Sequence, residues 1–286
     1  MELLTEFIDS SEKWFIDQAF KYYNTTLTKK SAFASIKRLE WYTQLGNIPS
    51  CHSAACYNLT TLIHLHDKGY IWTEETCENA AMYGQLATLI YLHENGCPWD
   101  EKTFSKAAKY GHMDIIHYLY ENGCPNNKWT SYDAVAGGSL QILDYLVKRG
   151  CAWNNEIGKL AASLGDLDVL KYIKQNNLPL KRDAISHASN LDILKYLHEE
   201  CGQVLLVSIT SNAARKNKLD MLKYVHERGG PMERRLCEIA AENGHLDILK
   251  YAYSAGLKLN NSYNIARFNH HYHIVSYIRS LIFKEN

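Results

Sequence analysis

The sequence predicts an all-α fold in which helix–turn–helix units repeat and stack as a solenoid. Tyrosines recur with a step of 27 residues, at Tyr91, Tyr118, Tyr145 and Tyr172, and the step resumes between Tyr224 and Tyr251. Glycines follow the same period, at Gly69, Gly96, Gly123, Gly150, Gly202, Gly229 and Gly256. Alanine pairs precede them at 80–81, 107–108, 161–162, 213–214 and 240–241. A fixed period of this size indicates a solenoid, here of about 8–10 stacked helix pairs.

The period slips at one place. Tyr196 follows Tyr172 by 24 residues and precedes Tyr224 by 28, so one connection has lost three residues and the next has gained one. A two-helix unit of this size does not bury its apolar stripe alone. We therefore expect stability to come from contacts between neighbouring units.

The second helix of each unit is predicted by an apolar stripe. Between His112 and Asn122, the residues Met113, Ile116 and Leu119 are three positions apart, which places them on one helix face. The stripe recurs at 86, 89 and 92, at 140, 143 and 146, and at 246, 249 and 252. Glycine follows it, where a left-handed helix cap favours glycine. Proline comes soon after and stops the helix, at Pro98, Pro125, Pro179 and Pro231.

The first helix of a unit is shorter and runs from about Thr103 to Tyr110 in one of them. Its alanine pair allows neighbouring helices to approach closely, and Gly111 ends it. Aspartates then fall in the first turn of the second helix, at Asp114, Asp168, Asp192, Asp220 and Asp247. We interpret them as stabilising the positive end of the helix dipole. A ladder of functional carboxylates is the alternative interpretation.

Composition excludes several classes of function. The chain has 31 Lys plus Arg and 31 Asp plus Glu, so no net field attracts nucleic acid or an acidic membrane, and we expect neither as a partner. The acidic start MELLTEFIDSSEK is unlike a signal peptide. No apolar run approaches the roughly 18 residues of a membrane span. We therefore expect a cytoplasmic protein whose eight cysteines are free thiols.

The cysteines and histidines do not predict a metal or cofactor site. Cys97, Cys124 and Cys151 occupy the same position in successive units. Packed helices lie about 8–10 Å apart, whereas a disulfide needs Cα atoms within about 7 Å and zinc needs four converging ligands. We interpret these cysteines as small apolar residues behind the helix-ending glycine. The histidines of the last unit, His270, His271 and His273, are interpreted as a solvated face.

No catalytic motif stands out. The sequence has no glycine-rich phosphate loop, no HExxH and no GxSxG, so we expect no enzyme and no cofactor. Trp72, Trp99 and Trp153 form a further column. We interpret it as packing between units, with a row of aromatic anchors on a binding rim as the alternative.

Two segments carry a family resemblance. AAKYGHMDIIHYLYENG, from Ala107 to Gly123, and AAENGHLDILKYAYSAG, from Ala240 to Gly256, resemble the helical part of the ankyrin repeat, AAxxGHLxVVxxLLxxG. The resemblance covers about residues 50 to 280 in about eight or nine units. It implies a protein that binds partners on the concave face formed by the first helices and the short turns.

The resemblance departs from the ankyrin pattern in two ways. The unit has 27 residues, whereas an ankyrin unit has 33. The missing residues fall where ankyrin repeats form a β-hairpin, and Lys102 to Ser105 replace the Thr-Pro-Leu-His motif. The chain therefore resembles hairpin-less ankyrin-like repeats that are abundant in large DNA viruses of protists. This implies a viral protein in the host cytoplasm that does not bind through hairpin tips.

Residues 1–35 do not follow the period. Their apolar residues have helical spacing, which predicts an N-terminal helical cap on a repeat array of residues 36–286. The last unit, residues 258–286, is then the C-terminal cap. Proteins of the resembling type sometimes carry an F-box at the N-terminus. The Leu-Pro start of an F-box is absent here, and both interpretations stay open.

The predicted function is a non-catalytic scaffold, expected to be a monomer, that binds a protein partner. Residues that vary between units while the frame stays constant should contact the partner. The candidates are Tyr83, Lys106, Tyr110, Trp129 and Asp133. Trp129 stands where other units carry Glu75, Lys102 and Glu156, so it is either a binding hot spot or a turn filler.

Two alternatives remain. The first is an adaptor that brings a captured protein to a ubiquitin ligase and docks through its N-terminal segment. The second is an enzyme hidden in the repeats, for which the sequence offers no arrangement of nucleophile, base and oxyanion donors.

Overall fold

The structure, a computed structural model, describes residues 50–56 and 58–282. This part contains 17 α-helices, one 3₁₀-helix and one π-helix, and no β-strand, so the all-α prediction is confirmed for it. None of these helices combines the length and apolar character needed to cross a bilayer. The predicted N-terminal cap at 1–35 lies outside the described residues, as do the last four residues of the predicted C-terminal cap.

The helices fall into two compact units, and the chain passes from one to the other between Trp153 and Asn154. The first contains α1 (Cys51–Ala55), α2 (Leu59–Asp67), α3 (Glu74–Met82), α4 (Leu86–Glu94), α5 (Glu101–Tyr110), α6 (Met113–Glu121), α7 (Lys128–Ala136) and α8 (Leu140–Lys148). In the second, α9 (Ile157–Leu164) and α10 (Leu167–Gln175) precede the 3₁₀-helix Ala184–His187, α11 (Leu191–Lys195) and the π-helix Tyr196–Glu200. It continues with α12 (Val207–Arg215), α13 (Leu219–Glu227), α14 (Leu236–Asn243), α15 (Leu246–Ser254), α16 (Ser262–Phe268) and α17 (Tyr272–Ile282).

Capping boxes begin the first helices α3, α5 and α7. At the start of α5, the backbone N–H groups of Lys102 and Thr103 donate to Asp100 Oδ1 at 3.0 and 3.2 Å. The Thr103 hydroxyl in turn accepts from the Asp100 N–H at 3.5 Å. Asn127 caps α7 in the same way with Thr130 as the reciprocal residue. These bonds satisfy N–H groups that have no partner inside the helix.

The alanine pairs lie where neighbouring first helices meet. Ala80, Ala81, Ala107 and Ala108 have no exposed surface, and α3 packs on α5 as α5 packs on α7. Phe104 fills the adjoining interior and is also fully buried. Small side chains at the crossing let the backbones approach, which confirms the role predicted for the pairs.

The buried stripe of the second helices is shifted from its predicted position. In α6 the fully buried residues are Ile115, Ile116 and Leu119, whereas Met113 is only half-buried. The same pattern holds in α4, α8 and α15, where the first predicted member (Leu86, Leu140 or Leu246) is half-buried. Each of these residues is the first of its helix.

Histidine explains part of the Gly-His spacing in the sequence. His112 Nε2 donates to the carbonyl of Met82 in the preceding unit at 3.0 Å. The same contact recurs from His245 to Arg215 at 3.0 Å and from His271 to Glu242 at 3.1 Å. Each histidine therefore satisfies a carbonyl at the end of the preceding first helix, where the helix itself offers no donor.

The unit that contains Tyr196, where the period slips, differs in length from the others, and we call it the irregular unit. Its missing and extra residues change its helices rather than its turns. The three missing residues reduce its first helix to the 3₁₀-helix Ala184–His187. The extra residue lies between Tyr196 and Gly202, which are six apart, whereas Tyr118 and Gly123 are five apart. It is accommodated by the π-helix, whose i→i+5 hydrogen bonds enclose one residue more than those of an α-helix. The gain therefore lies in the interval from Tyr196 to Tyr224, as the sequence predicts, and the structure places it in the second helix of the unit.

Candidate functional site

The first helices of the first compact unit present three rows of equivalent residues. The N-terminal row is Glu75, Lys102 and Trp129; the middle row is Asn79, Lys106 and Asp133; the C-terminal row is Tyr83, Tyr110 and Gly137. Within each helix, the rows are four residues apart, so they share one helix face. Because α3, α5 and α7 pack side by side, the rows run across three units. We call this surface the first-helix face.

The C-terminal row exposes aromatic rings. Tyr83 and Tyr110 are 44% and 47% exposed, although each lies next to a helix end that is tightly packed. Gly137 continues the row without a side chain because a Cβ there would lie 1.9 Å from the carbonyl oxygen of Lys109. That close approach leaves no third side chain beside Tyr110.

The middle row braces neighbouring units as well as facing solvent. Asn79 Nδ2 donates to the carbonyl of His52 at 3.2 Å, and in the second compact unit Asn212 makes the same bond to Ser186 at 2.9 Å. Lys106 and Asp133 are half-buried. Burial raises the pKa of the Asp133 carboxyl, while a hydrogen bond from Ser105 and the charges of Lys109 and Lys106 oppose that shift.

The N-terminal row lies along a groove. The groove is open and has a volume of about 580 Å³. Its lining includes the side chains of Glu74, Glu75, Glu78, Trp99, Asp100 and Lys102. Burial and the nearby Asp100 charge raise the pKa of the Glu78 carboxyl, whereas the ammonium groups of Lys102 and Lys106 lower it. Trp129 follows in the next unit and is 49% exposed. Its ring lies edge-on to Tyr132, with centroids 5.5 Å apart, and 5.7 Å from Lys128 Nζ.

The charges of this face are arranged by helix. Helix α3 contributes Glu74, Glu75 and Glu78, whereas α5 contributes Lys102, Lys106 and Lys109, with Glu101 as its one acid. Within the described part of the chain, no carboxylate lies within 4.0 Å of the three lysine ammonium groups of α5. Their charges are therefore available to a partner.

The structure shows a cysteine contact that column spacing did not predict. Cys77 Sγ and Cys97 Sγ lie 3.5 Å apart, and both side chains are buried. The two residues belong to different columns, so only the fold brings them together. The hydrogen bond to Cys97 and burial raise the pKa of Cys77 strongly, and burial raises that of Cys124 to about 12. Cys77 and Cys124 are therefore buried packing residues whose thiols stay protonated at neutral pH.

The tryptophan column packs between second helices and the following turns. Trp72 stacks on His66 with ring centroids 3.3 Å apart, and Trp99 stacks on His93 at 3.8 Å. His93 Nδ1 and the Tyr118 hydroxyl are hydrogen-bonded at 2.8 Å, and His198–Tyr224 and His226–Tyr251 repeat this bond. The tyrosine column therefore joins successive units. Trp72 and Trp99 pack on histidines, and Trp99 also lines the groove.

The C-terminal histidines contact the preceding unit. His271 Nε2 donates to the Glu242 carbonyl, and His273 Nε2 donates to the Gly244 carbonyl at 3.0 Å. Among the described residues, no three or more His, Cys, Asp or Glu side chains are placed to hold a metal ion. The aspartate column lies in the first turn of its helices, where Asp114 accepts from the Ile115 N–H at 2.9 Å.

The second compact unit has a different first-helix surface. Glu156 is hydrogen-bonded to Lys181, and Lys159 bridges Glu156 at 3.5 Å and Asp183 at 2.6 Å. These pairs lower the pKa values of Glu156 and Asp183 and raise that of Lys159. Charges here neutralise one another, so this surface offers less to a charged partner than the face of α3, α5 and α7.

Comparison with known proteins assigns no family. No protein-family model matches the chain. No curated protein matches it either.

Proposed function

We propose that the chain is a non-catalytic interaction scaffold of hairpin-less ankyrin-like repeats that binds a partner protein through its first-helix face. The repeat interpretation is supported by helix pairs at a 27-residue step and by the recurring histidine contacts to the preceding unit. Recruitment to a ubiquitin ligase, the alternative function, would depend on residues 1–35, which lie outside the described residues.

The observation that carries the proposal is the exposure of Tyr83, Tyr110 and Trp129, at 44–49%, on one face of packed helices. Exposed aromatic side chains on a rigid surface are typical binding hot spots, because they bury a large area and lose little entropy. Lys106 and Asp133 add charge at the centre of the same face.

The test compares partner recovery by variants. Proteins that co-purify with the full chain from its native or host cell are quantified for the unmodified protein and for the Tyr110→Ala/Trp129→Ala variant. Because a hot-spot truncation costs about 2 kcal/mol or more, we expect at least about a thirtyfold loss of affinity. Phe268→Ala is the matched control, since that ring is 83% exposed in the second compact unit. Equal recovery by all three proteins contradicts the proposal.

A further inference from the structure

We infer, on the basis of the proposed function, that the N-terminal row binds an extended segment in the polyproline II conformation. The segment carries a cationic, an anionic and an apolar residue at every third position. The cationic residue lies over Glu75, the anionic residue over Lys102 and the apolar residue over Trp129. The inference therefore specifies the chemistry of the partner that the first-helix face binds.

The spacing of the row fits this conformation. Glu75, Lys102 and Trp129 occupy equivalent positions on three packed helices, and axes of packed helices lie about 8–10 Å apart. A polyproline II segment turns once every three residues and rises about 3.1 Å per residue, so side chains on one side repeat at about 9.3 Å. A β-strand places same-side residues only about 6.6–6.8 Å apart. The polyproline II repeat therefore keeps one side chain on each helix.

Each position selects its own chemistry. Glu75 shares the groove with Glu74, Glu78 and Asp100, and Trp99 supplies an aromatic wall, which together suit a lysine or arginine. The Glu75 carboxylate lies 3.8 Å from His52 Nε2 and its side chain is 64% exposed, so it stays accessible.

The other two positions differ from the first in charge. Lys102 is exposed and has no carboxylate within 4.0 Å among the described residues, so it suits an aspartate or glutamate. The half-exposed ring of Trp129 suits an apolar side chain or a proline. Because the three chemistries differ, the row distinguishes their order as well as their presence.

The test uses two synthetic heptapeptides of the same composition. One reads Arg-Pro-Pro-Glu-Pro-Pro-Leu, and the other exchanges the arginine and the glutamate. Their affinities for the full chain are measured by fluorescence anisotropy. We expect the first peptide to bind at least about tenfold more tightly. Equal affinities, or no binding by either peptide up to about 1 mM, overturn the inference.

A charge exchange then assigns the contact. Lys102→Glu is expected to weaken binding of the first peptide and to favour a third peptide in which lysine replaces the glutamate. Lys195→Glu, a reversal of an exposed charge in the second compact unit, is the control and is expected to change neither affinity. If the chain binds the two heptapeptides equally but partner recovery still depends on Tyr110 and Trp129, the inference is rejected and the proposed function stands. If the Tyr110→Ala/Trp129→Ala variant recovers the partner as well as the unmodified chain does, the proposed function is rejected instead.

Discussion

At the scale of single residues, two glycines separate the cost of a left-handed backbone from the cost of a steric clash. Gly84 and Gly96 have similar φ angles of 72° and 77°. A Cβ at Gly84 would lie 2.7 Å from the His112 ring, whereas one at Gly96 would meet nothing within 4 Å. Both positions favour glycine for its backbone, but only Gly84 also needs it to admit a neighbouring side chain.

Replacing each glycine by alanine tests this distinction. We expect Gly96→Ala to lower the free energy of unfolding by about 1–2 kcal/mol, the cost of a left-handed alanine. Gly84→Ala should cost about 1 kcal/mol more, because the displaced His112 loses its hydrogen bond to Met82. Urea unfolding of both variants measures the difference. Equal destabilisation would show that the ring moves aside without loss.

The same scale shows what the sequence could predict about the site. Tyr83 and Tyr110 are predicted as contact residues from a column that varies between units, and Trp129 from its place outside the tryptophan column; all three are exposed. Periodicity assigns a residue to a position but does not reveal what the neighbouring unit contributes there. For that reason the hydrogen bond of Asp133 with Ser105 and the contact of Cys77 with Cys97 were not predicted.

At the scale of elements, the irregular unit depends on a side chain that replaces missing backbone bonds. Where other units have a full first helix, the 3₁₀-helix Ala184–His187 is braced by Gln203. The Ile185 N–H donates to Gln203 Oε1 at 2.9 Å, and Gln203 Nε2 donates to the Lys181 carbonyl at 2.9 Å. Gln203 is itself buried. The brace therefore satisfies one backbone donor and one acceptor at once.

Removing this brace should destabilise the second compact unit. Gln203→Leu leaves the Ile185 N–H and the Lys181 carbonyl without their partner, at a cost of at least about 2 kcal/mol. Gln141→Leu, at an exposed position in the first compact unit, should change stability by no more than about 0.5 kcal/mol. Chemical denaturation followed by far-UV circular dichroism checks both values. A loss at Gln203 as small as that at Gln141 would show that water replaces the brace.

Helix boundaries show why element prediction worked unevenly. Regular units were predicted well where glycine follows the helix and the alanine pair marks its packed side, whereas Asn177, Asn217 and His270 take the left-handed position after other helices. The shorter spacing between Tyr172 and Tyr196 shows that three residues are missing. It does not show how their loss changes the structure. Three residues are nearly one turn of helix, so the first helix gives up its α-helical form while the contacts between units are kept.

At the scale of the whole molecule, buried protonated groups make stability depend on alkaline pH. Burial raises the pKa of Cys51 and Cys237 from 9.0 to about 11 and that of Cys124 to about 12. Burial and a hydrogen bond to Glu199 raise the pKa of Tyr224 from 10.0 to about 12. These groups lie in both compact units. We therefore expect both compact units to lose stability at alkaline pH.

The direction of this dependence follows from the protons bound in each state. Below about pH 8 the thiols are protonated in the folded and unfolded chains, so stability does not change with their titration. From about pH 8 to 12 the unfolded chain loses protons that the folded chain retains, and the free energy of unfolding falls as pH rises. Each thiol contributes a slope of at most about 1.4 kcal/mol per pH unit.

Urea midpoints at pH 7, 9 and 10.5 measure this loss. We expect a small fall from pH 7 to 9, where the thiols of the unfolded chain begin to lose their protons, and a much larger fall by pH 10.5. Cys124→Ala should show a shallower fall, because one titrating thiol has been removed. Leu119→Ala loses stability at every pH but should keep the full slope, since the fully buried Leu119 carries no titrating group. A slope in Cys124→Ala as steep as in the unmodified chain would mean that the Cys124 thiol titrates alike in the folded and unfolded states.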